Sequence, residues 1–160
     1  MLENPKCPCK KGVVGGTFSL LHKGHRHLLE YAFRNSEKLV VGVTSDEFVR
    51  SFKKSHPVEP YELRALVVLI FLYSLGNKEI EIVPIDDIYG PTLSDPDIDC
   101  IFVSEETLYG AFLVNIARKA RGLRPLKIFA VDLLGLGKEK ISSTMLWKRL
   151  LSYTEALSHL

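Results

Sequence analysis

The sequence predicts an α/β fold, with one domain built on a five-stranded, mostly parallel sheet flanked by helices. Short apolar runs rich in β-branched residues alternate with longer helical patterns, which is the order expected of βαβ units. The 160 residues are enough for one domain with a sizeable core. An apolar fraction of 46% and a charged fraction of 25% are ordinary for a globular protein.

Five segments are predicted to be strands because they are short, apolar and bounded by glycine, proline or polar residues. They are a run ending at Val13-Val14, where Gly15-Gly16 breaks it, and residues 38–44, 79–85, 100–104 and 126–132. The run 38–44 is continuously apolar, which is typical of a strand buried on both faces.

Helical spacing or capping chemistry predicts helices between these strands. They cover residues 23 to about 35, 46–52, 61–75, 105–121 and a C-terminal helix from about 142. Ser45 and Asp46 offer N-cap chemistry, and Gly76 and Gly122 stop the helices before them. Ligands of such sheets bind outside the carboxyl ends of the strands, where the strand order reverses. The loops after strands one, two, four and five are therefore candidate sites.

Charge and hydropathy exclude several classes of protein. The net charge is +2, from 21 basic and 19 acidic residues, and no long single-sign block occurs. We therefore expect no nucleic-acid partner and no membrane surface. The longest apolar run, Ala65 to Tyr73, is far shorter than the roughly 20 residues that span a bilayer. No apolar core of signal-peptide length follows the N-terminal lysines, and a cytoplasmic protein is the expectation.

The chain has three cysteines, Cys7, Cys9 and Cys100. This number is small and odd, which disfavours a secreted disulfide scaffold. We expect residues 1–10 to be a polar N-terminal extension with reduced thiols, and residues 11–160 to form the domain. The alternative is a metal or redox role for Cys7-Pro8-Cys9, although zinc-binding pairs usually have a wider spacing.

The stretch "GGTFSLLHKGH", residues 15–25, combines two glycines, a threonine and two histidines. Glycines let the backbone approach a ligand closely and permit positive φ. His22 and His25 lie near one side of a predicted helix start, where free N–H groups favour anions. Taken alone, the stretch fits a phosphate cradle and a tight turn with surface histidines equally well.

The loop after the fifth strand strengthens the phosphate interpretation. "KEKISSTMLWKR", residues 138–149, places three consecutive hydroxyls near lysines and an arginine. Those hydroxyls could instead cap a helix. Neither the dinucleotide fingerprint nor the P-loop motif occurs in the chain. A serine hydrolase and a zinc peptidase are disfavoured because the G-x-S-x-G elbow and the H-E-x-x-H motif are missing.

Five segments together resemble the nucleotidyltransferase superfamily and, within it, the phosphopantetheine adenylyltransferases of archaeal and eukaryotic type. They are "GGTFSLLHKGHRHLL", "VVGVTSDEF", "PYELR", "IYGPTLSDPDIDCIFVSEET" and "KISST". The fourth is the most specific, because it separates this branch from cytidylyltransferases that share only HxGH. The resemblance implies a Rossmann-like nucleotidyltransferase domain over nearly the whole chain after residue 10.

The resemblance also implies a reaction. ATP and 4′-phosphopantetheine, with Mg²⁺ accompanying ATP, would give dephospho-coenzyme A and pyrophosphate, and coenzyme A would be a further ligand. Two alternatives stay open: another acceptor, flavin mononucleotide or nicotinamide mononucleotide, and a nucleotide-binding regulatory protein without turnover. The oligomeric state is not determined by the sequence, and a monomer is the default expectation.

Site residues follow from the resemblance, position by position. His25 matches the histidine that stabilises the transition state at the α-phosphate, and Thr17 matches the threonine that places both phosphates. The nucleotide-binding positions are Gly15, Gly16, Phe18, His22, Gly24, Ser104, Glu105, Ile141, Ser142, Ser143 and Thr144. The positions implied for the acceptor are Thr17, Lys53 or Lys54, and Arg64.

Some of these positions have structural alternatives, and two positions depart from the family. His22 could be a solvated loop residue, Lys53 and Lys54 a solvated charge pair, and Arg64 a structural residue paired with an acid. Ser19 stands where the family commonly has an acid, and Trp147 where it often has an arginine.

Overall fold

The computed structural model describes residues 7–52 and 57–132. Within them the strands are β1 (Cys9–Gly16), β2 (Ser36–Thr44), β3 (Glu79–Ile85), β4 (Cys100–Ser104) and β5 (Lys127–Val131). The α-helices of this part are α1 (Lys23–Arg34), α2 (Asp46–Ser51), α3 (Tyr61–Leu75) and α4 (Leu108–Ala120). Short 3-10 helices lie at Ser19–Leu21, Gly90–Leu93 and Glu105–Thr107. The expected helix from about residue 142 lies outside the described residues.

All five strands pair in parallel in the order β3-β2-β1-β4-β5, which confirms the predicted α/β fold. β1 is central, with Val13 opposite Val40 of β2 and Ile101 of β4. The chain builds outward from β1 in one direction and then returns to its other side with β4. The carboxyl ends of β1 and β4 therefore flank the point where the strand order reverses.

Alternate residues of each strand supply two separate cores. Val14, Val41 and Phe102 face the layer of α1 and α3, while their neighbours along the strands face α4. The continuous apolar run of β2 is buried from Leu39 to Thr44, as its composition predicts. Burial of both faces fixes the register, because a one-residue slip would exchange the two cores.

Two predicted boundaries are wrong. β1 does not end at Val13-Val14 but continues through Gly15 and Gly16, which pair with Gly42 and Val43 of β2. The helix expected from residue 105 starts as a 3-10 turn and becomes α-helical only at Leu108. Neither glycine has positive φ, so both are extended residues of β1 before the loop that leads to α1.

The N-terminal cysteines also differ from expectation. Cys9 is completely buried in β1 and forms a disulfide with Cys100 at the start of β4, so reduced thiols are wrong for this pair. Cys9 and Lys10, which were expected in the N-terminal extension, belong to β1. The N–H groups of Lys10 and Lys11 donate to the Asp99 carboxylate and hold this end of the strand. Asp99 lies near both sulfurs, but its oxygens are already bonded. We therefore assign no metal site to this cluster.

The disulfide predicts a measurable thiol count and a stability difference. Because it joins residues 91 apart, the chain-entropy model gives a stabilisation of about 4–5 kcal/mol. Thiol titration in denaturant without reductant should find one free thiol, that of Cys7. Adding dithiothreitol should lower the midpoint of urea denaturation. Three titratable thiols in the purified, unreduced protein would contradict the bond.

A buried arginine holds the long loop between β3 and β4. Arg118 of α4 is 1% exposed and donates to four carbonyls. Its acceptors are Arg124 at 2.6 Å, Thr92 at 2.6 Å, Asp95 at 3.2 Å and Ile98 at 3.3 Å. These groups lie near the start of β4, at the end of the sheet opposite the His22–His25 loop. Three residues of the motif 88–107, Thr92, Asp95 and Ile98, are thus held by Arg118 through their backbone carbonyls.

Among the described helices, none combines the length and the apolarity needed to cross a bilayer.

Candidate active site

Three strands bring polar side chains to the carboxyl edge of the sheet. Thr17 follows β1, Thr44 ends β2 and Ser104 ends β4. Since these strands are neighbours in the sheet, their ends lie together at the point where the strand order reverses. This is the position where open α/β sheets bind ligands.

The turn after β1 has an unusual backbone. Phe18, Leu20 and Leu21 have φ values of 55°, 59° and 33°, in the left-handed region that bulky L-residues seldom adopt. The adjacent glycines permit such angles but are extended here. Gly16 instead leaves room for the Phe18 ring, since a Cβ there would lie 3.0 Å from that ring. Phe18 is 2% exposed, so it supports the loop from beneath.

Concentrated backbone strain is typical of functional sites, because the surrounding structure must hold it in place. The turn carries the chain directly into α1, whose first residues include both histidines of the HxGH pattern. Its conformation therefore determines where those imidazoles lie.

His22 is the N-cap of α1, a role that the sequence did not reveal. Its Nδ1 accepts the N–H of Gly24 at 3.1 Å and that of His25 at 3.4 Å. An imidazole whose Nδ1 accepts carries its proton on Nε2, so the exposed ring retains Nε2–H as a donor. The capping nitrogen stands where an anion bound at this helix N-terminus would accept the same N–H groups.

His25 is half-buried between two rings. Its imidazole stacks on His22 with centroids 3.5 Å apart and meets the edge of Phe18 at 5.5 Å. These contacts limit the rotation of the His25 ring. The structure thus brings together the rings of three residues predicted for the site, Phe18, His22 and His25.

Thr17 is tied to the end of β2. The hydroxyl of Thr44 donates to Thr17 Oγ1 over 3.2 Å. Thr17 accepts this bond and donates its hydroxyl proton to no acceptor within residues 7–52 and 57–132, so that proton can be offered to a ligand. Thr44 is 5% exposed and had not been predicted as part of the site.

Arg64 lies below this edge and ties four segments together. Its side chain is 0% exposed. It donates to the carbonyls of Glu59 and Thr17 at 2.7 and 3.0 Å, to the Thr44 hydroxyl at 3.2 Å and to Asp46 at 3.1 Å. The Asp46 carboxylate also accepts the N–H of the first residue of α3. The guanidinium thus fixes the ends of β1 and β2 relative to α2 and α3.

This burial bears on the two interpretations of Arg64. One hypothesis was that Arg64 is a structural residue paired with an acid, and the ion pair with Asp46 is present. Its assignment to the acceptor substrate stays a prediction, which the burial of the side chain argues against. Arg64 instead holds the backbone of Thr17, a residue predicted to place the phosphates.

Glu59 provides the acid that the loop lacks at position 19. The Ser19 hydroxyl donates to one carboxylate oxygen over 2.6 Å, and the Leu20 N–H donates to the other over 2.7 Å. Burial raises the pKa of the Glu59 carboxyl, but these hydrogen bonds and the charge of Arg64 outweigh it and hold the pKa below its usual value. This contact contributes stability at neutral pH and loses it as the pH falls through the lowered pKa.

Ser104 and Glu105 follow β4, on the other side of β1. Ser104 and Thr107 form a capping box, in which Thr107 Oγ1 accepts the Ser104 N–H over 3.1 Å. This pair of residues therefore marks the start of the 3-10 turn into α4. Glu105 is exposed beside it. Contact of either residue with a nucleotide stays a prediction.

Several predicted residues lie outside the described part of the chain. They are Lys53, Lys54, Ile141, Ser142, Ser143, Thr144 and Trp147. Their assignments to the acceptor or to the nucleotide stay predictions.

Comparison with known proteins identifies the family. A family model described as cytidylyltransferase-like matches residues 13–149. Phosphopantetheine adenylyltransferase of Methanopyrus kandleri is 43% identical over 145 residues, 89% of this chain and 91% of that protein. The enzyme of the same name from Thermococcus gammatolerans is 43% identical over 141 residues, 87% of this chain and 88% of that protein.

Solved structures agree with the fold. A protein described as of unknown function from Archaeoglobus fulgidus has a TM-score of 0.71 and 34% identity, covering 81% of this chain and 94% of its own. A lipopolysaccharide core biosynthesis protein from Thermoplasma volcanium, at 20% identity and a TM-score of 0.60, shares the fold. On its family match and its relatives, the chain belongs to the cytidylyltransferase-like family and, within it, to the phosphopantetheine adenylyltransferases.

Proposed function

We propose that the chain transfers the adenylyl group of ATP to 4′-phosphopantetheine, releasing pyrophosphate and forming dephospho-coenzyme A. The observation that carries this proposal is the arrangement after β1. There Thr17 keeps a hydroxyl proton to donate, and His22 and His25 stack at a helix start beside the reversal of strand order. The names of the relatives supply the acceptor.

The chemistry requires alignment and charge stabilisation rather than a strong base. An oxygen of the acceptor phosphate attacks the α-phosphorus of ATP and forms a P–O bond, while the bond to the β-phosphate oxygen breaks and pyrophosphate leaves. The attacking phosphate is already anionic at neutral pH. Donors fixed before the reaction, at His25 and Thr17, would stabilise the negative charge that develops on the transferring phosphoryl group.

Mg²⁺ would arrive with ATP. It prefers oxygen ligands and keeps several waters, so the phosphates of the nucleotide would supply much of its coordination. The carboxylates of Glu59 and Asp46 near the loop already accept hydrogen bonds from the protein. The residues described at this edge thus fit a cation held chiefly by the substrate.

An acceptor assay tests the function. ATP, Mg²⁺ and the protein are incubated with 4′-phosphopantetheine, flavin mononucleotide or nicotinamide mononucleotide, and pyrophosphate release is followed. Of the three acceptors, we expect only 4′-phosphopantetheine to cause pyrophosphate release. Dephospho-coenzyme A should then be detected by mass spectrometry. Release only with one of the other mononucleotides would overturn the acceptor. ATP binding by calorimetry without turnover on any acceptor would indicate a nucleotide-binding protein that is not an enzyme.

A further inference from the structure

The strained turn after β1 needs a restraint, because three of its residues, Phe18, Leu20 and Leu21, have left-handed φ angles. Such angles persist only where the surrounding structure holds them. The Ser19–Leu21 turn lies between Thr17 and His22. A relaxed turn would therefore shift the residues on both of its sides.

The Glu59 carboxylate is placed to provide this restraint. Its two oxygens accept from two successive residues of the turn, the Ser19 hydroxyl at 2.6 Å and the Leu20 N–H at 2.7 Å. Leu20 itself is 81% exposed, so packing does not hold it. A charged acceptor makes stronger hydrogen bonds than a neutral one, and two parallel bonds also fix the angle of the turn.

The carboxylate is itself anchored. The carbonyl of Glu59 accepts from Arg64 Nε over 2.7 Å, and the same guanidinium donates to the Thr17 carbonyl at 3.0 Å. Glu59 and the start of the turn thus share one buried anchor. The backbone of the turn is held at Thr17 by Arg64 and at Leu20 by Glu59.

We infer that Glu59 is a positioning residue for the proposed adenylyl transfer, holding the 18–21 turn so that the Thr17 hydroxyl and the His25 imidazole are aligned. The inference rests on the proposed function. It predicts that the turn requires one carboxylate at this point, contributed either by residue 59 or by residue 19, because the two side chains are in hydrogen-bond contact.

Moving the carboxylate from residue 59 to residue 19 tests this requirement. Glu59→Gln removes the negative charge that accepts from Ser19 and Leu20. We expect kcat/KM to fall about tenfold, which corresponds to the coupling energy usual between residues in contact. Ser19→Asp in the wild-type background places a second carboxylate against Glu59 and should also lower kcat/KM, because like charges repel. In Ser19→Asp/Glu59→Gln the charge returns on the other residue, and activity should recover to within a few-fold of wild type.

The recovery distinguishes positioning from general destabilisation. Glu62→Gln is the matched control, since Glu62 is an exposed acid three residues further on, in the first turn of α3, and should leave kcat/KM unchanged. Ser19→Ala keeps the Leu20 contact and should have a smaller effect than Glu59→Gln. Thermal unfolding of all variants identifies any that fail to fold.

Calorimetry separates this inference from the function on which it rests. If the wild type lacks turnover, the proposed function fails, and the affinity for ATP is compared across the same variants instead. If the double variant is no better than Glu59→Gln in activity, or in ATP affinity where turnover is missing, the positioning role is overturned. Recovery in the double variant supports it in either case.

Discussion

His25→Ala is expected to lower kcat for adenylyl transfer by about 10²–10³-fold, the usual cost of removing one donor aimed at transition-state charge. The dissociation constant of ATP should rise only a few-fold. This difference is expected because negative charge on the transferring phosphoryl group grows as the reaction proceeds, so a donor placed there contributes more to the transition state than to ground-state binding.

The fold should tolerate the change. The His25 ring is half-buried and contacts His22 and Phe18 through ring faces and edges, whereas the cap of α1 uses the backbone N–H of residue 25. Alanine keeps that N–H, and its helix propensity is high. The main loss should therefore be in turnover, measured by single-turnover kinetics beside calorimetric titration with ATP.

His27→Ala is the matched control. His27 lies two residues further along α1, and its buried Nε2 has no hydrogen-bond partner within the described residues. We expect its turnover to stay close to wild type. Near-normal turnover of His25→Ala would remove His25 from the mechanism, and an equal loss in both variants would indicate a general effect on α1.

The secondary structure could be predicted because its signals are local. α3 begins and ends as expected at Tyr61 and Leu75, with Gly76 after it, since an apolar run and a glycine lie next to each other in the sequence. The Ser45 cap of α2 is present for the same reason, with its hydroxyl accepting the Phe48 N–H at 3.1 Å. The alternation of these elements was sufficient to predict the parallel sheet.

The support of the site could not be predicted, because its contacts join residues far apart in the chain. Ser19 meets Glu59 across 40 residues and Thr17 meets Arg64 across 47. Nothing in the neighbourhood of Glu59 distinguishes it from a solvated acid before a helix. The disulfide was missed for the same reason, since only the pairing of β1 with β4 brings Cys9 and Cys100 together.

The conformation of the loop contradicted a local rule. Gly15 and Gly16 permit positive φ, but the chain places it at Phe18, Leu20 and Leu21. Pairing with β2 keeps the glycines extended, and tertiary contacts then hold the turn in a conformation that its residues do not favour. Local sequence reasoning is expected to fail where a functional site is strained. His22 gave no capping signal either, because histidine is not among the preferred N-cap residues.

Arg64→Ala is expected to lower the free energy of unfolding by about 3 kcal/mol, the low end for breaking a buried ion pair, because Asp46 is 43% exposed and stays solvated. The substitution leaves the Thr17 and Glu59 carbonyls and the Thr44 hydroxyl without this donor. It also releases the Thr17 backbone at the start of the turn after β1. Where the variant is folded, kcat/KM should fall by about 10²-fold, as expected from a displacement of about 1 Å.

Arg118→Ala separates the two effects. Arg118 is equally buried and donates to four carbonyls, but it does so at the opposite end of the sheet. We expect a comparable loss of stability by urea denaturation. Its kcat/KM should nevertheless stay near wild type when measured well below its unfolding temperature.

Arg64→Lys should fall between wild type and alanine. Lysine keeps a positive charge for Asp46, but its single ammonium cannot reach the four acceptors that the planar guanidinium bonds. A residue that contacted the acceptor substrate directly would instead raise KM for 4′-phosphopantetheine with little loss of stability. Equal activity per folded molecule in Arg64→Ala and Arg118→Ala would show that anchoring the Thr17 carbonyl serves the fold alone. A larger loss in Arg64→Ala would show that this buried arginine positions the residues that are predicted to meet the phosphates.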